Sequence, residues 1–149
     1  MHKKCGGGQA MTAKQYLNQI RNLDLRIQSS AEQVMQLRAL TENIIASFSE
    51  RVQSSSAGDG FAETVAKIAD LEIEINAMTD ELILKKQRVN YEMHNMENNL
   101  YAALLIERYC NGKTWDQIAN SLNYDMRYIQ KLHGRALQEF AEKNSSVLK

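Results

Sequence analysis

Arg127, Lys131 and Arg135 follow one another at intervals of four, Gln130 sits among them, and no acidic residue occurs from Met126 to Gln138. At helical spacing these cations fall on one side of a helix within about three turns. Guanidinium and ammonium groups bind phosphate oxygens or the edge of guanine, and a glutamine amide can pair with adenine. The chemistry open to this constellation is therefore recognition of nucleic acid, not the making or breaking of bonds. Ile129, Leu132, Ala136 and Phe140 form the apolar stripe of the same helix. That leaves an outward face centred on Arg127, Lys131, Gly134 and Gln138, with Tyr128, Gln130 and Arg135 at its margins, where Gly134 allows close approach to a duplex.

The elements that must position this face are legible from their caps. Asp125 can cap a last helix running from Met126 to about Lys143. Thr114 and Gln117 have the spacing of a capping box, which predicts a short helix from Trp115 to near Leu122 with Trp115, Ile118, Ala119 and Leu122 turned inward. Asn123, Tyr124 and Asp125 connect the two, and the small Ala119 suits a close crossing. A preceding helix is expected from about Asn98 to Cys110, carrying Leu100, Leu104, Leu105 and Tyr109, with Gly112 placed for a left-handed, helix-ending turn. Two short-linked helices of this kind form a helix-turn-helix, whose second helix enters the major groove of DNA by its N-terminal end. Met126, Arg127, Gln130 and Lys131 are accordingly expected at base edges, with Tyr128 beside them, and Arg135, Thr114 and Lys113 at phosphates.

Upstream the pattern changes to long seams. Thr12 and Gln15 again have capping-box spacing, and Ile20, Leu23, Ile27, Ser30, Val34, Leu37, Thr41, Ile44 and Phe48 alternate steps of three and four. A second seam runs through Ile68, Leu71, Ile75, Met78, Leu82, Lys85 and Val89. Between them residues 53–60 are small and polar, a connection. The expectation is an all-α chain: an antiparallel coiled-coil hairpin over 12–96 with its loop at 53–60, then a helix-turn-helix module over 97–143. Disordered ends are expected at 1–11 and 144–149. The glycine run after Cys5 lacks any helical pattern, and either a translated ribosome-binding site before a start at Met11 or an expression tag would account for it. Ser30, Thr41 and Lys85 interrupt the seams, where polar residues can fix register or oligomeric state. A monomeric hairpin and a four-helix dimer would use the same pattern. Met93 and Met96 mark the joint between hairpin and module.

The 149 residues carry 18 basic and 18 acidic side chains, a formal net charge of +0, with 44% apolar and 24% charged residues. That is a folded composition. DNA binders usually carry a basic surplus; here the positive charge is segregated, because Asp70, Glu72, Glu74, Asp80 and Glu81 lie in the arms. Neutrality overall is met either by that concentration of charge on one small surface or by dimerisation or a second protein supplying part of the affinity. Cys5 and Cys110 share no metal-ligand spacing, and His94 and His133 have no cysteine or carboxylate neighbours at such spacing, so no disulfide, metal or cofactor is expected. No phosphate-binding loop or nucleophile elbow occurs, so a non-enzyme is expected. The absence of a long apolar stretch points to a cytoplasmic protein without membrane contact.

The segment from Gly112 to Phe140 resembles the helix-turn-helix in region four of bacterial sigma factors. Trp115-Asp116-Gln117-Ile118-Ala119 matches its first helix, Ile129 and Leu132 its buried positions, and Arg135-Ala136-Leu137 the end of its recognition helix. From Met11 to Lys143 the chain is similar to small phage and prophage proteins of Gram-positive bacteria, including late-gene regulators of the ArpU and RinA type, which also open with a stretch like Thr12 to Leu17. The resemblance implies a transcriptional regulator in a bacterial cytoplasm, acting on double-stranded DNA, with RNA polymerase or a second copy of the chain as partner of the hairpin. It lacks a counterpart of sigma region two. Two other functions fit the same layout: a DNA-packaging protein like a small terminase subunit, and a coiled-coil inhibitor of a host nucleic-acid enzyme.

Overall fold

Without a single proline in the chain, nothing interrupts the first two helices, α1 (Ala13–Glu50) and α2 (Ala57–Met93), of 38 and 37 residues and each about 55 Å long. The computed structural model describes residues 10–50 and 57–149, and every regular element among them is helical. After α2 come α3 (Asn99–Leu105), which runs directly into a π-helical turn (Ile106–Cys110), then α4 (Trp115–Leu122), α5 (Met126–Lys143) and a 3₁₀ turn (Ser145–Leu148). The start of α1 is set by its capping box: Gln15 N donates to Thr12 Oγ1 at 3.1 Å and Thr12 N to Gln15 Oε1 at 3.0 Å. Residues 57–60 of the expected loop belong to α2 instead, because extending an existing helix costs only about 1 kcal/mol at each of Gly58 and Gly60 and needs no new nucleus. Residues 53–56, and the expected extension apart from Ala10 and Met11, lie outside the described residues.

The chain divides into two compact units. One is the middle of the hairpin, Leu23–Ile83. Its helices are antiparallel: Arg26 pairs with Glu74, Arg38 further along pairs with Glu72, and Ile44, Ile45 and Phe48 line one apolar cleft with Phe61. Such exposed ion pairs contribute at most about 0.5–1 kcal/mol. Stability comes from the seam, where Leu23, Val34, Met78 and Leu82 are buried while Ile27, Leu37, Ile44, Ile68, Leu71 and Ile75 are half-buried. Phe48 departs from the expected seam and is 48% exposed. Thr41 spares its seam an unpaired hydroxyl by donating to Leu37 O at 2.8 Å within its own helix. Leu25, Met35, Leu40, Ile45, Val65 and Ile73 face solvent.

The other unit joins the residues up to Asn22 to Leu84–Lys149. The expected boundary at residue 97 is thus wrong: both ends of the hairpin belong with the C-terminal helices. The reason is burial, since Leu17, Ile20 and Val89 are as deeply enclosed as Leu104, Leu105, Ile118, Ile129 and Phe140. Tyr16 stacks on Phe140 with ring centroids 6.0 Å apart and donates to both carboxylate oxygens of Glu92, at 2.7 and 2.9 Å. Lys85 reaches Gln19 Oε1 at 3.4 Å. The expected joint is tied down from α5: Glu139 accepts from Glu97 N and Asn98 N, Lys143 pairs with Glu97, and buried Asn144 donates to Glu92 O at 3.3 Å. Met93 and Met96 are buried there as core filling. The tail expected to be disordered is also ordered through Leu148, which is buried and whose carbonyl accepts from Met11 N at 2.9 Å.

Candidate nucleic-acid interface

The interface is built on the turn after the π-helical segment. Where an unbroken helix to Cys110 was expected, Asn111 N donates to Ile106 O, five residues back, at 3.0 Å. One extra residue in that turn lets Leu104 and Leu105, and five residues on Tyr109 and Cys110, all point into the core. Gly112 then takes a left-handed φ of 67°, and Lys113 N closes the turn on Glu107 O at 3.1 Å. Glycine supplies that φ without a Cβ clash.

Thr114 starts α4 with the full capping box: its Oγ1 accepts from Gln117 N at 3.3 Å and its N donates to Gln117 Oε1 at 3.0 Å. Asn123 ends the helix at φ 59°, ψ 43°, a left-handed position that asparagine tolerates better than most residues. Asp125, extended, accepts from Arg127 N at 3.1 Å and starts α5. Three local devices therefore fix the angle between α4 and α5.

The inward stripe of α5 is fully realised: Ile129, Leu132, Ala136 and Phe140 are buried, as are Ile118 and Ala119 of α4. Trp115 and Leu122, expected inside, are only half-buried. Met126, Arg127, Tyr128, Gln130, Lys131 and Arg135 are all exposed on the outer side of α5, with Gly134 and Gln138. Among the described residues, no acid pairs with Arg127, Lys131 or Arg135. Glu139 and Glu142 follow the end of this face, and Glu139 is occupied in capping Glu97 and Asn98.

Lys113 does not join this set. Its ammonium pairs with Glu107, whose carboxyl is held below the usual range first by that bond and also by a hydrogen bond from Asn111 Nδ2 at 2.7 Å. Lys113, expected at a phosphate, is thus also tied into the turn. Thr114 keeps its place at the start of α4, but its hydroxyl oxygen is engaged in the cap.

No protein-family model, curated protein or solved structure matches the chain. What the site does must come from its own side chains. Among the described residues no three histidine, cysteine or acidic side chains gather as a metal site, and no helix is long and apolar enough to cross a membrane.

A support beneath α5 went unread in the sequence. His133, on the inner margin of the helix, shares a hydrogen bond of 2.7 Å between Nε2 and the Tyr109 hydroxyl. Its ring also meets the edge of Trp115 at 4.7 Å, and the Arg108 guanidinium lies 4.2 Å over the other aromatic system, that of Trp115. Burial, reinforced by Lys14 and Arg108, pushes the imidazole down to about 4, so His133 is neutral at physiological pH and adds no charge to the face. Its position four residues after Ile129 and three before Ala136 was the available signal; its partner Tyr109 was not, since only the π-helical turn aims that residue here.

Proposed function

We propose that this protein binds double-stranded DNA by placing α5 in the major groove and acts as a phage-type transcriptional regulator. The observation that carries the reading is the exposed, acid-free face of Arg127, Gln130, Lys131 and Arg135 on a helix whose opposite stripe is wholly buried. Arg127, Gln130 and Lys131 reach base edges and Arg135 a phosphate. The hairpin supplies the second interaction that a neutral chain needs, with a second copy or with RNA polymerase, through the apolar side chains it leaves exposed. The protein works without a cofactor, in the cytoplasm of a bacterial host.

Selection from random-sequence duplexes at near-physiological salt tests this. The wild type is expected to enrich one motif, and the Arg127→Ala, Lys131→Ala variant to lose it, whereas Arg135→Ala should keep the motif and lose about one unit of salt-dependence slope. Unchanged selection by the variant would defeat the assignment. The same exposed apolar side chains also favour a second reading, a hairpin that inhibits a nucleic-acid enzyme; a stoichiometric protein partner from host extract, with no DNA retained, would mark it.

A further inference from the structure

The leading end of α5 carries an apolar group that charge recognition does not explain. Tyr124, just before the cap, lies against Tyr128 in the first turn, with ring centroids 5.3 Å apart and planes tilted by 47°. Both rings remain open to solvent, at 43% and 45%, and Met126 between them is 39% exposed. Asn123 in its left-handed conformation, the Tyr124 N bond to Ala119 O at 3.0 Å and the Asp125 cap set the backbone that presents them. Three large apolar side chains at one helix end, held by that turn and left uncovered, form an apolar surface open to a ligand.

We infer that Tyr124, Met126 and Tyr128 read thymine by contact with its C5-methyl group; this rests on the DNA-binding reading above. In the major groove the thymine methyl is the apolar feature of the base edges, the rest being hydrogen-bond donors and acceptors. The N-terminal turn of a recognition helix is the part that meets base edges. Charge decides between DNA and another occupant: Arg127 and Lys131 emerge from the same end of α5, Asp125 within the trio is turned to accept from Arg127 N, and no acid follows before Glu139, a surface complementary to a polyanion. The specificity of the site is thereby divided, with cations and Gln130 addressing polar edges and this trio addressing methyls.

The test uses the intact protein and the duplex that selection returns. Each thymine in that duplex is replaced in turn by deoxyuridine, which removes the methyl and leaves the hydrogen-bonding pattern unchanged. Affinity is expected to fall about fourfold for each methyl in contact, the equivalent of one buried methyl group. In the Tyr124→Ser, Tyr128→Ser variant, checked for unaltered helix content, thymine and deoxyuridine duplexes should bind alike. Because the first comparison needs no variant, it stands even where the second protein fails to fold. Equal wild-type affinity for every substituted duplex overturns the thymine inference and leaves DNA binding intact; failure to bind any duplex overturns both. Unchanged DNA affinity in the variant, with loss of a protein that co-purifies with the wild type, also overturns it and assigns the patch to that protein.

Discussion

The hairpin unit and the unit that carries α5 are made of similar helices, yet they hold themselves together differently. In Leu23–Ile83 two helices meet along one seam, and most seam residues are half-buried. In the other unit Leu17, Leu104, Leu105, Ile118, Ile129, Ala136 and Phe140 are fully enclosed, and buried polar groups such as Glu92 and Asn144 have partners. Two helices alone can cover only one stripe of each other, so the hairpin's stability is shallow and spread along its length, while the other unit concentrates it in a core. The hairpin is a reach with apolar side chains left over. The other unit is a rigid platform.

Core truncation gives the sharpest contrast. Phe140→Ala should destabilise the α5 unit by about 3–5 kcal/mol, while Leu37→Ala in the half-buried seam should cost on the order of 1 kcal/mol. Denaturant titration of each variant checks this. An equally large loss for Leu37→Ala would break the contrast and indicate that a second chain buries the seam in solution.

Acid should act on the platform in two opposite ways. The His133 pKa lies well below its ordinary 6.5, at about 4; the fold favours its neutral form, so its contribution is complete above the ordinary value and is lost as pH falls toward 4. For a half-buried ring the loss is on the order of 1–2 kcal/mol after solvent screening. Glu92 has the reverse sign. Burial raises its carboxyl above the ordinary value in spite of the Tyr16 hydrogen bond and nearby Arg88. Its contribution is therefore present below the ordinary carboxyl range and lost as pH rises through the elevated value. Stability measured from pH 7.5 to 4 should fall less steeply in His133→Gln and be higher at neutral pH in Glu92→Gln. A His133→Gln profile parallel to the wild type would remove the histidine from this account.

Gly134 refines the picture by a smaller amount. A Cβ added there would meet nothing within 4 Å, so Gly134→Ala should stabilise α5 by about 0.5–1 kcal/mol. If the helix lies close against a duplex, the same change should weaken DNA binding. Thermal unfolding and duplex titration of this one variant measure the two effects separately, and tighter or unchanged binding would show that the backbone at Gly134 does not approach DNA.

What could be read in advance was what is encoded locally. Thr12 with Gln15, Thr114 with Gln117, Asp125 and Gly112 act within a few residues, and the helix starts and the left-handed turn they imply are present. The buried stripe of α5 follows from its spacing alone. What was missed depends on partners distant in the chain. Glu92 is just another polar residue at the end of a helix until Tyr16 is set beside it, and Leu148 an ordinary tail residue until Met11 is bonded to it. The π-helical turn has no local sequence signal, because it resolves a competition among Leu104, Leu105, Tyr109 and Cys110 for the same core. Within the candidate site, the exposed face of α5 was legible, whereas the capture of Lys113 by Glu107 and the Tyr124 and Tyr128 pair were not.

The core that encloses Leu17 and Val89 draws its chain from both sides of Leu23–Ile83, which makes the hairpin, in polymer terms, a loop. The entropic cost of closing a flexible loop rises by only about 0.6 kcal/mol for each doubling of its length. Insertions or deletions of about seven residues made in both helices between Leu23 and Ile83, which keep the seam in phase, should thus hardly affect the stability of the platform, so the length of the hairpin can change over generations while the face of α5 stays as it is. Folding speed is where length would tell, since the platform's last contacts wait for two distant stretches of chain to meet.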